Sequence, residues 1–440
     1  MDHYDEIASF IVDTKPHRLP PEVVELAKSV LLDTLGCALG GLESPVGKAS
    51  IRYSQVYFPG NEATIWGTRL RASALGAALS NSYLANALDA DDGHREARGH
   101  PGGVIVPVAL VLAEKKGCSG LTLLEAIAVG YEAGIRCGMA ANSDRNLYFG
   151  SAYWGCFGAA AAASYLLNLT KKQALNALGI TEMQAPSSLL MGWVRRNEVP
   201  MIKEGMGWGA LTGIASAYMA REGFTGTFTL FDLPHCKTVL AGLNEFSQFQ
   251  RIYQKPHAGC RWTHGAIDAA LRLKKAHQLS ELNIASITVK TFSEALDLKA
   301  PVVTTIEQAE YSVPYLVALA FIFGQVGPEE ICSNLHNEKV IELARKVHLV
   351  EDKQFTSLFP GRTYCQMEVQ TKQNEVFLTP PMQPLGDYDR PLGREQLENK
   401  FRLFSQSALE DETIDKLVET IKGIDKLPDV RRLVNMCVCG

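Results

Sequence analysis

Asn86-Ala-Leu-Asp89-Ala-Asp91-Asp92-Gly93-His94, running on through His100-Pro101-Gly102-Gly103, is the stretch on which the reading of this chain turns. It closes an apolar, small-residue segment from Ala72 to Leu88 and opens another from Val104 to Ala113. Segments of that composition read as buried helices, and such helices do not need acids and imidazoles at their junction. The pattern predicts a helix C-terminus ending in Asp89-Ala-Asp91-Asp92, a glycine-containing loop, and a second helix starting just after His100-Pro101. Free N–H groups of Gly102 and Gly103 at that start would make a small anion site suited to a substrate carboxylate. Acids, imidazole and anion cradle in one loop point to proton chemistry on a small organic acid.

Outward from this loop the chain reads as helix for roughly its first 250 residues. Pro20-Pro21 opens a helix whose apolar face is Val23, Val24, Ala27, Val30, Leu31 and Leu35, and Gly40-Gly41 stops it. Thr122-Leu-Leu-Glu125 has capping-box spacing, and Thr170-Lys-Lys-Gln173 repeats it ahead of a helix that Gly179 should end. Gly158 to Leu167 and Gly209 to Ala220 are helices whose small residues allow very close packing. The character changes near Lys255. Residues 284–292 alternate as a strand does, and 364–371 with 375–379 reads as a hairpin around a polar turn. Helices at Ser312 to Phe323 and Pro328 to Leu335 lie between them, and from Arg394 the chain is helical again. The expected architecture is mainly α: a large all-helical domain over 1–258, with 394–440 returning to it, and a smaller α+β lid domain over 259–393.

Composition narrows the function classes. With 440 residues, 46% hydrophobic and 21% charged, the chain is an ordinary globular sequence long enough for two domains. A net charge of -5 and the lack of a Lys/Arg run exclude a nucleic-acid footprint. No apolar run reaches membrane-spanning length, and the acidic opening Met1-Asp-His-Tyr-Asp-Glu is unlike a targeting peptide. The ten cysteines include no CxxC pair, and Cys437-Val-Cys439 lacks zinc spacing. Free thiols in a reducing compartment are expected, hence the cytoplasm. The Asp/His cluster fits no zinc or calcium template, so no metal is expected. Gly205 to Gly209 lacks the lysine-serine pair and preceding strand of a nucleotide loop.

Several motifs resemble one family. Leu32-Asp-Thr-Leu-Gly36, Leu88-Asp-Ala-Asp-Asp92, His100-Pro-Gly-Gly103, Gly223-Phe-Thr-Gly226 and Tyr311-Ser-Val-Pro-Tyr315 are similar to MmgE/PrpD sequences, in that family's order. The most specific is Lys255-Pro-His-Ala-Gly-Cys-Arg-Trp-Thr-His264. The resemblance implies a helical domain plus α+β lid, a homodimer, and no metal or organic cofactor. It also implies activity as a 2-methylcitrate dehydratase, cis-aconitate decarboxylase or iminodisuccinate epimerase. Carried over by position, it implies Asp89, His100, Lys203, Lys255 and Tyr315 as catalytic residues. Two departures count against the decarboxylase role. Many members carry a histidine where this chain has Tyr148-Phe149-Gly150, and another where it has Gly205-Met206. A site threonine of the family corresponds to Gly93.

The three activities share the making or unmaking of a carbanion beside a carboxylate, which needs a base and cations to hold the spreading charge. His100 can serve as acid or base near neutrality, and with Asp89 it would handle the α-proton. Asp89 would orient it or carry a second proton, Lys203 and Lys255 would clamp carboxylates, and Tyr315 would protonate a leaving hydroxyl. Asp92, His94, Gly102, Gly103, Arg261 and His264 are the expected binding residues around them. Taken together, the chain reads as a cofactor-independent lyase dehydrating a 2-methylcitrate-like hydroxy di- or tricarboxylate. An isomerase of the iminodisuccinate-epimerase kind is the rival.

Overall fold

Small side chains decide how the helices meet at the centre of the molecule. The computed structural model describes residues 3–14, 19–143, 148–187, 193, 196 and 198–438. Its first part holds helices α1 (His3–Asp13), α2 (Pro21–Gly40), α3 (Pro45–Tyr57), α4 (Ala74–Asn86) and α5 (Gly102–Lys116). There follow α6 (Gly120–Ala141), α7 (Ser151–Leu166), α8 (Lys171–Gln184) and α9 (Met206–Arg221). Helix α7 is buried along most of its length because α5, α6, α8 and α9 all pack on it. Glycines permit this crowding. A Cβ on Gly158 would lie 2.6 Å from the Gly130 carbonyl oxygen, and one on Gly213 would lie 2.4 Å from the Ala159 Cβ.

Beyond short 3-10 turns between Leu230 and Arg251, a four-stranded sheet forms from β5 (Ile284–Thr291), β6 (Val347–Glu351), β7 (Cys365–Thr371) and β8 (Val376–Leu378). The short strands β1 (Ala63–Thr64) with β2 (Arg71–Ala72), and β3 (Gly93–His94) with β4 (Ile252–Tyr253), pair outside it. The sheet order is β6-β5-β7-β8, with β5 and β6 parallel and the other neighbours antiparallel. Helix α10 (Arg261–His277) lies on β7 and packs against α12 (Val313–Phe323), which follows the short α11 (Ile306–Glu310). The chain then closes through α13 (Pro328–Ser333), α14 (Glu338–Ala344) and α15 (Lys353–Leu358) to α16 (Arg394–Ser405), which lies along α2. Helices α17 (Asp411–Lys422) and α18 (Arg431–Met436) end the described fold.

Buried apolar residues fall into two main clusters. One runs from Ile7 to Ile252 and takes in Leu392 to Cys437; the other runs from Ala258 to Val369. Leu88 and Ala90, on either side of Asp89, belong to the second cluster, whereas Ala97 and Val104 belong to the first. The aspartate loop therefore lies where the two cores meet.

Three local expectations differ. Helix α8 runs straight through Gly179, because that glycine is needed for contact: a Cβ there would meet the Gly226 carbonyl carbon at 2.5 Å. Helix α6 starts earlier than Thr122, capped by Ser119, whose side chain accepts the Thr122 N–H. Helix α4 ends at Asn86, so the aspartates lie beyond its end, in a loop entered through Asp89 at φ 49°.

Candidate active site

The left-handed turn at Asp89 aims a carboxylate inward, and two lysines distant in sequence meet there. The Lys255 ammonium lies 2.5 Å from Asp89 Oδ1 and donates to the Asp89 carbonyl oxygen as well. Lys203, itself left-handed at φ 41°, donates to the Asn86 carbonyl at 2.5 Å and to Glu310 Oε2 at 2.6 Å. Both lysines are buried. Burial alone would discharge them, but Asp89 and Asp91 hold Lys255 above its ordinary pKa, and Glu310 and Asp89 do the same for Lys203. Burial also disfavours the Asp89 anion, yet Lys255, His100 and Lys203 hold its carboxyl well below the usual range.

His100 sits among these charges. Its Nε2 is 3.5 Å from Asp89 Oδ1, and its Nδ1 is 3.4 Å from Asp91 Oδ1 and 3.1 Å from the Asp92 carbonyl oxygen. Burial and the Lys255 ammonium, 3.4 Å away, push the imidazole down, but Asp91 and Asp89 outweigh them and raise it to about 9. At neutral pH His100 is thus an imidazolium, an acid rather than a base. Asp89, Asp91 and His100 offer three ligand atoms within 4.8 Å of one another. Lys255 already supplies a cation at that point, so a metal ion would have to displace it.

The other sequence candidates have different surroundings. Asp92 faces away from the lysines: its Oδ1 accepts the Gly102 N–H at 2.9 Å and its Oδ2 accepts the Tyr131 hydroxyl at 2.8 Å. The helix start at Gly102, expected to take a substrate carboxylate, is therefore filled by the chain's own acid. A Cβ on Gly103 would lie 2.5 Å from Asp91 Oδ2, so that glycine makes room for Asp91. His94 accepts the Ala97 N–H, and burial with Arg251 and Arg136 lowers it to about 3; it is neutral and braces the loop. Arg261 is turned to the Leu385 carbonyl and to Asp387, with its guanidinium over the Tyr253 ring. His264 hydrogen-bonds the Gly259 carbonyl and is held neutral by burial and by His257 and Arg261. Tyr315, in helix α12, points its hydroxyl at the Ile331 carbonyl, 3.4 Å away, within the second core.

A different tyrosine approaches the charges. Tyr311, before the Ser312 cap of α12, feels the carboxylates of Asp89, Glu204 and Glu310, which with burial hold its phenol well above the ordinary value. Tyr148 stands where the resemblance placed a histidine, and burial and the Glu204 charge raise its phenol too. Tyr253 is a third phenol raised by burial with Asp89 nearby. Glu204 and Ser151 were not singled out in the sequence. Ser151 Oγ accepts the His100 N–H at 2.8 Å and donates to Glu204 Oε2, which also takes the Ser151 N–H at 2.7 Å. The sequence signal for Glu204 was its place directly after Lys203; Ser151 gave none.

The result is a buried set of acids, ammoniums, one imidazolium and phenols that can bind a carboxylate and move protons beside it. The nine cysteines among the described residues are thiols, and burial, with the Asp89 charge, raises that of Cys260, so thiolate attack is disfavoured. Cys439 lies outside the described residues. No helix among them is long and apolar enough to cross a membrane.

Comparison with known proteins agrees with the sequence resemblance. A family model described as the MmgE/PrpD N-terminal domain matches residues 5–239, and one for the MmgE/PrpD C-terminal domain matches residues 257–423. A cis-aconitate decarboxylase-like protein of Aspergillus oryzae is 27% identical over 98% of this chain and 96% of its own length. The cis-aconitate decarboxylase of Homo sapiens is 26% identical, covering 98% and 94%. That of Aspergillus terreus is 25% identical, covering 99% and 95%.

Proposed function

This chain belongs to the MmgE/PrpD family, and from that premise we propose that it is a lyase working beside a carboxylate of a small di- or tricarboxylate with its own side chains. The favoured reaction is dehydration of a 2-methylcitrate-like hydroxy acid. The observation that carries this reading is His100, kept as a buried imidazolium between Asp89 and Asp91 with Lys255 3.4 Å away. An acid in that position gives its proton to the departing hydroxyl. The α-hydrogen leaves to a carboxylate of the same cluster. Lys203 and Lys255 hold the substrate carboxylates and the negative charge that spreads onto them in the transition state. Asp89 keeps the imidazolium charged and oriented.

Decarboxylation is the second reading, and the relatives named cis-aconitate decarboxylase favour it. Loss of carbon dioxide needs no base, only cations to stabilise the carbanion and an acid to protonate it. His100 suits that step too.

Incubation with methylcitrate, citrate, cis-aconitate and iminodisuccinate in deuterated water separates the possibilities. Water loss identifies a dehydratase, gas release a decarboxylase, and deuterium uptake without either an epimerase. Turnover of none of these acids would sink the proposal. His100→Ala should lower kcat by about two to four powers of ten. Wild-type kcat/KM should fall as pH rises through about 9, where the imidazolium is lost. A His100→Ala enzyme with unaltered turnover removes His100 from the chemistry.

A further inference from the structure

Dehydration needs a base as well as an acid. Lys255 pairs with Asp89, Lys203 with Glu310, and Asp91 Oδ1 with His100 and the Asn86 amide. Glu204 is engaged differently. It is buried, and the backbone turns left-handed on both sides of it, at Lys203 (φ 41°) and Gly205 (φ 73°). A left-handed lysine is a strained conformation that the surrounding structure must enforce. The Lys203 N–H bonds to the Pro200 carbonyl and the Gly205 N–H to the Ile202 carbonyl, which fixes the turn. One carboxylate oxygen, Oε2, takes both Ser151 donors, and Ser151 in turn holds the His100 N–H. The other oxygen, Oε1, is 3.9 Å from His100 Nε2. That distance is too long for a hydrogen bond, and it leaves Oε1 free to accept from a substrate.

We propose that Glu204 is the base that faces the His100 acid, so that one carboxylate–imidazolium pair performs both proton transfers of the elimination. The inference rests on the lyase reading above. In the step, the substrate Cα–H proton passes reversibly to Glu204 Oε1. The C–H electron pair stays as a carbanion spread onto the neighbouring carboxylate before it becomes the new C=C bond. The C–O bond breaks, and its pair leaves with the hydroxyl, which takes the His100 proton and departs as water. The enzyme is left with a neutral Glu204 acid and a neutral imidazole. Return of the proton from Glu204 to His100 restores the starting state without any other reagent. Ser151 is a positioning residue in this scheme, since it ties the base to the backbone of the acid.

The test uses the full chain with Glu204→Gln, which keeps an acceptor for Ser151, beside His100→Gln. With the hydroxy acid that the wild type dehydrates, Glu204→Gln should lower kcat by about two to four powers of ten and abolish solvent deuterium exchange at Cα. His100→Gln should lose elimination but keep that exchange. Unchanged melting temperature and unchanged binding of the saturated analogue tricarballylate should accompany the loss; a Glu204→Asp variant, with its shorter reach, should recover part of the exchange. Exchange that survives in Glu204→Gln overturns the proposal. A second readout does not depend on turnover: in side-chain-labelled protein the His100 imidazole should titrate about one pH unit lower in Glu204→Gln than in the wild type. An unshifted titration also overturns the pairing. Should the wild type act on no di- or tricarboxylate, the lyase reading falls, and this titration still decides whether the two groups interact.

Discussion

The three carboxylates of the aspartate bend do three different jobs, and each is set by its nearest donors. Asp89 faces two ammoniums, Asp91 pairs with an imidazolium and the Asn86 amide, and Asp92 has only neutral donors. Burial, with Asp33 and Asp91 nearby, therefore raises Asp92 to about 7. Its unfolded value is near 3.8. Between those values the folded state keeps a proton that the unfolded state has given up, so stability falls as pH rises from about 4 to 7 and is level above. At about 1.4 kcal/mol per unit, the accumulated cost is on the order of a few kcal/mol. Asp92→Asn mimics the protonated form and can still meet Gly102 and Tyr131. The melting temperature of the variant relative to the wild type should rise between pH 5 and pH 8. A difference that stays constant over that range would remove the buried-charge argument. The residue types at this site were legible in the sequence because neither of the two apolar helices needs acids or imidazoles where they join. Their partners were not. That Tyr131 claims Asp92, or that Asp387 claims Arg261, depends on contacts between residues far apart in the chain, which no local pattern encodes.

Elements were legible where the signal was local and went unread where packing overrode it. Thr170 and Gln173 form the capping box their spacing foretold, and β5 alternates between buried and more exposed positions as its sequence does. The glycine reading failed at Gly179 because a glycine stops a helix only when nothing else requires its small size. The same requirement governs α6, α7 and α9. A Cβ on Gly158 would lie 2.6 Å from both the Gly130 carbonyl oxygen and the Ile105 Cδ1. In an exposed helix Gly→Ala stabilises by roughly 0.5–1 kcal/mol, so these positions should show the opposite sign. Gly158→Ala and Gly213→Ala should each destabilise by about 1–3 kcal/mol through overpacking. Urea unfolding would check this, and a stabilised Gly158→Ala would mean that the helices can separate at no cost. Tyr311 and Tyr315 show the limit of motif reading. They are four residues apart in one motif, yet the Ser312 cap puts the first in the loop facing the acids and the second inside α12.

The C-terminal return of the chain links fold to site. The sequence foretold that the segment after Arg394 would be helical again; what it touches is a long-range matter. Helix α16 brings Phe401 onto Gly36 of α2, and one residue earlier Lys400 reaches past the core to the aspartate loop. Its ammonium lies 2.6 Å from Asp33 Oδ1 and 2.7 Å from the Ala90 carbonyl oxygen, with both side chains buried. Ala90 stands between Asp89 and Asp91, so the returning segment holds the backbone of the site directly. Removing one partner of a buried pair leaves an uncompensated charge, whereas removing both need not. Lys400→Met should therefore destabilise by about 3–5 kcal/mol, and adding Asp33→Asn should recover much of that. Turnover should behave otherwise. In the double variant the Ala90 carbonyl still lacks its donor, so the loop is free to shift and kcat should stay low although the protein is again stable. Denaturant unfolding and turnover measured on the same three proteins would show the two quantities separating. If stability and turnover recover together, Lys400 serves the fold alone and the aspartate loop holds its own shape.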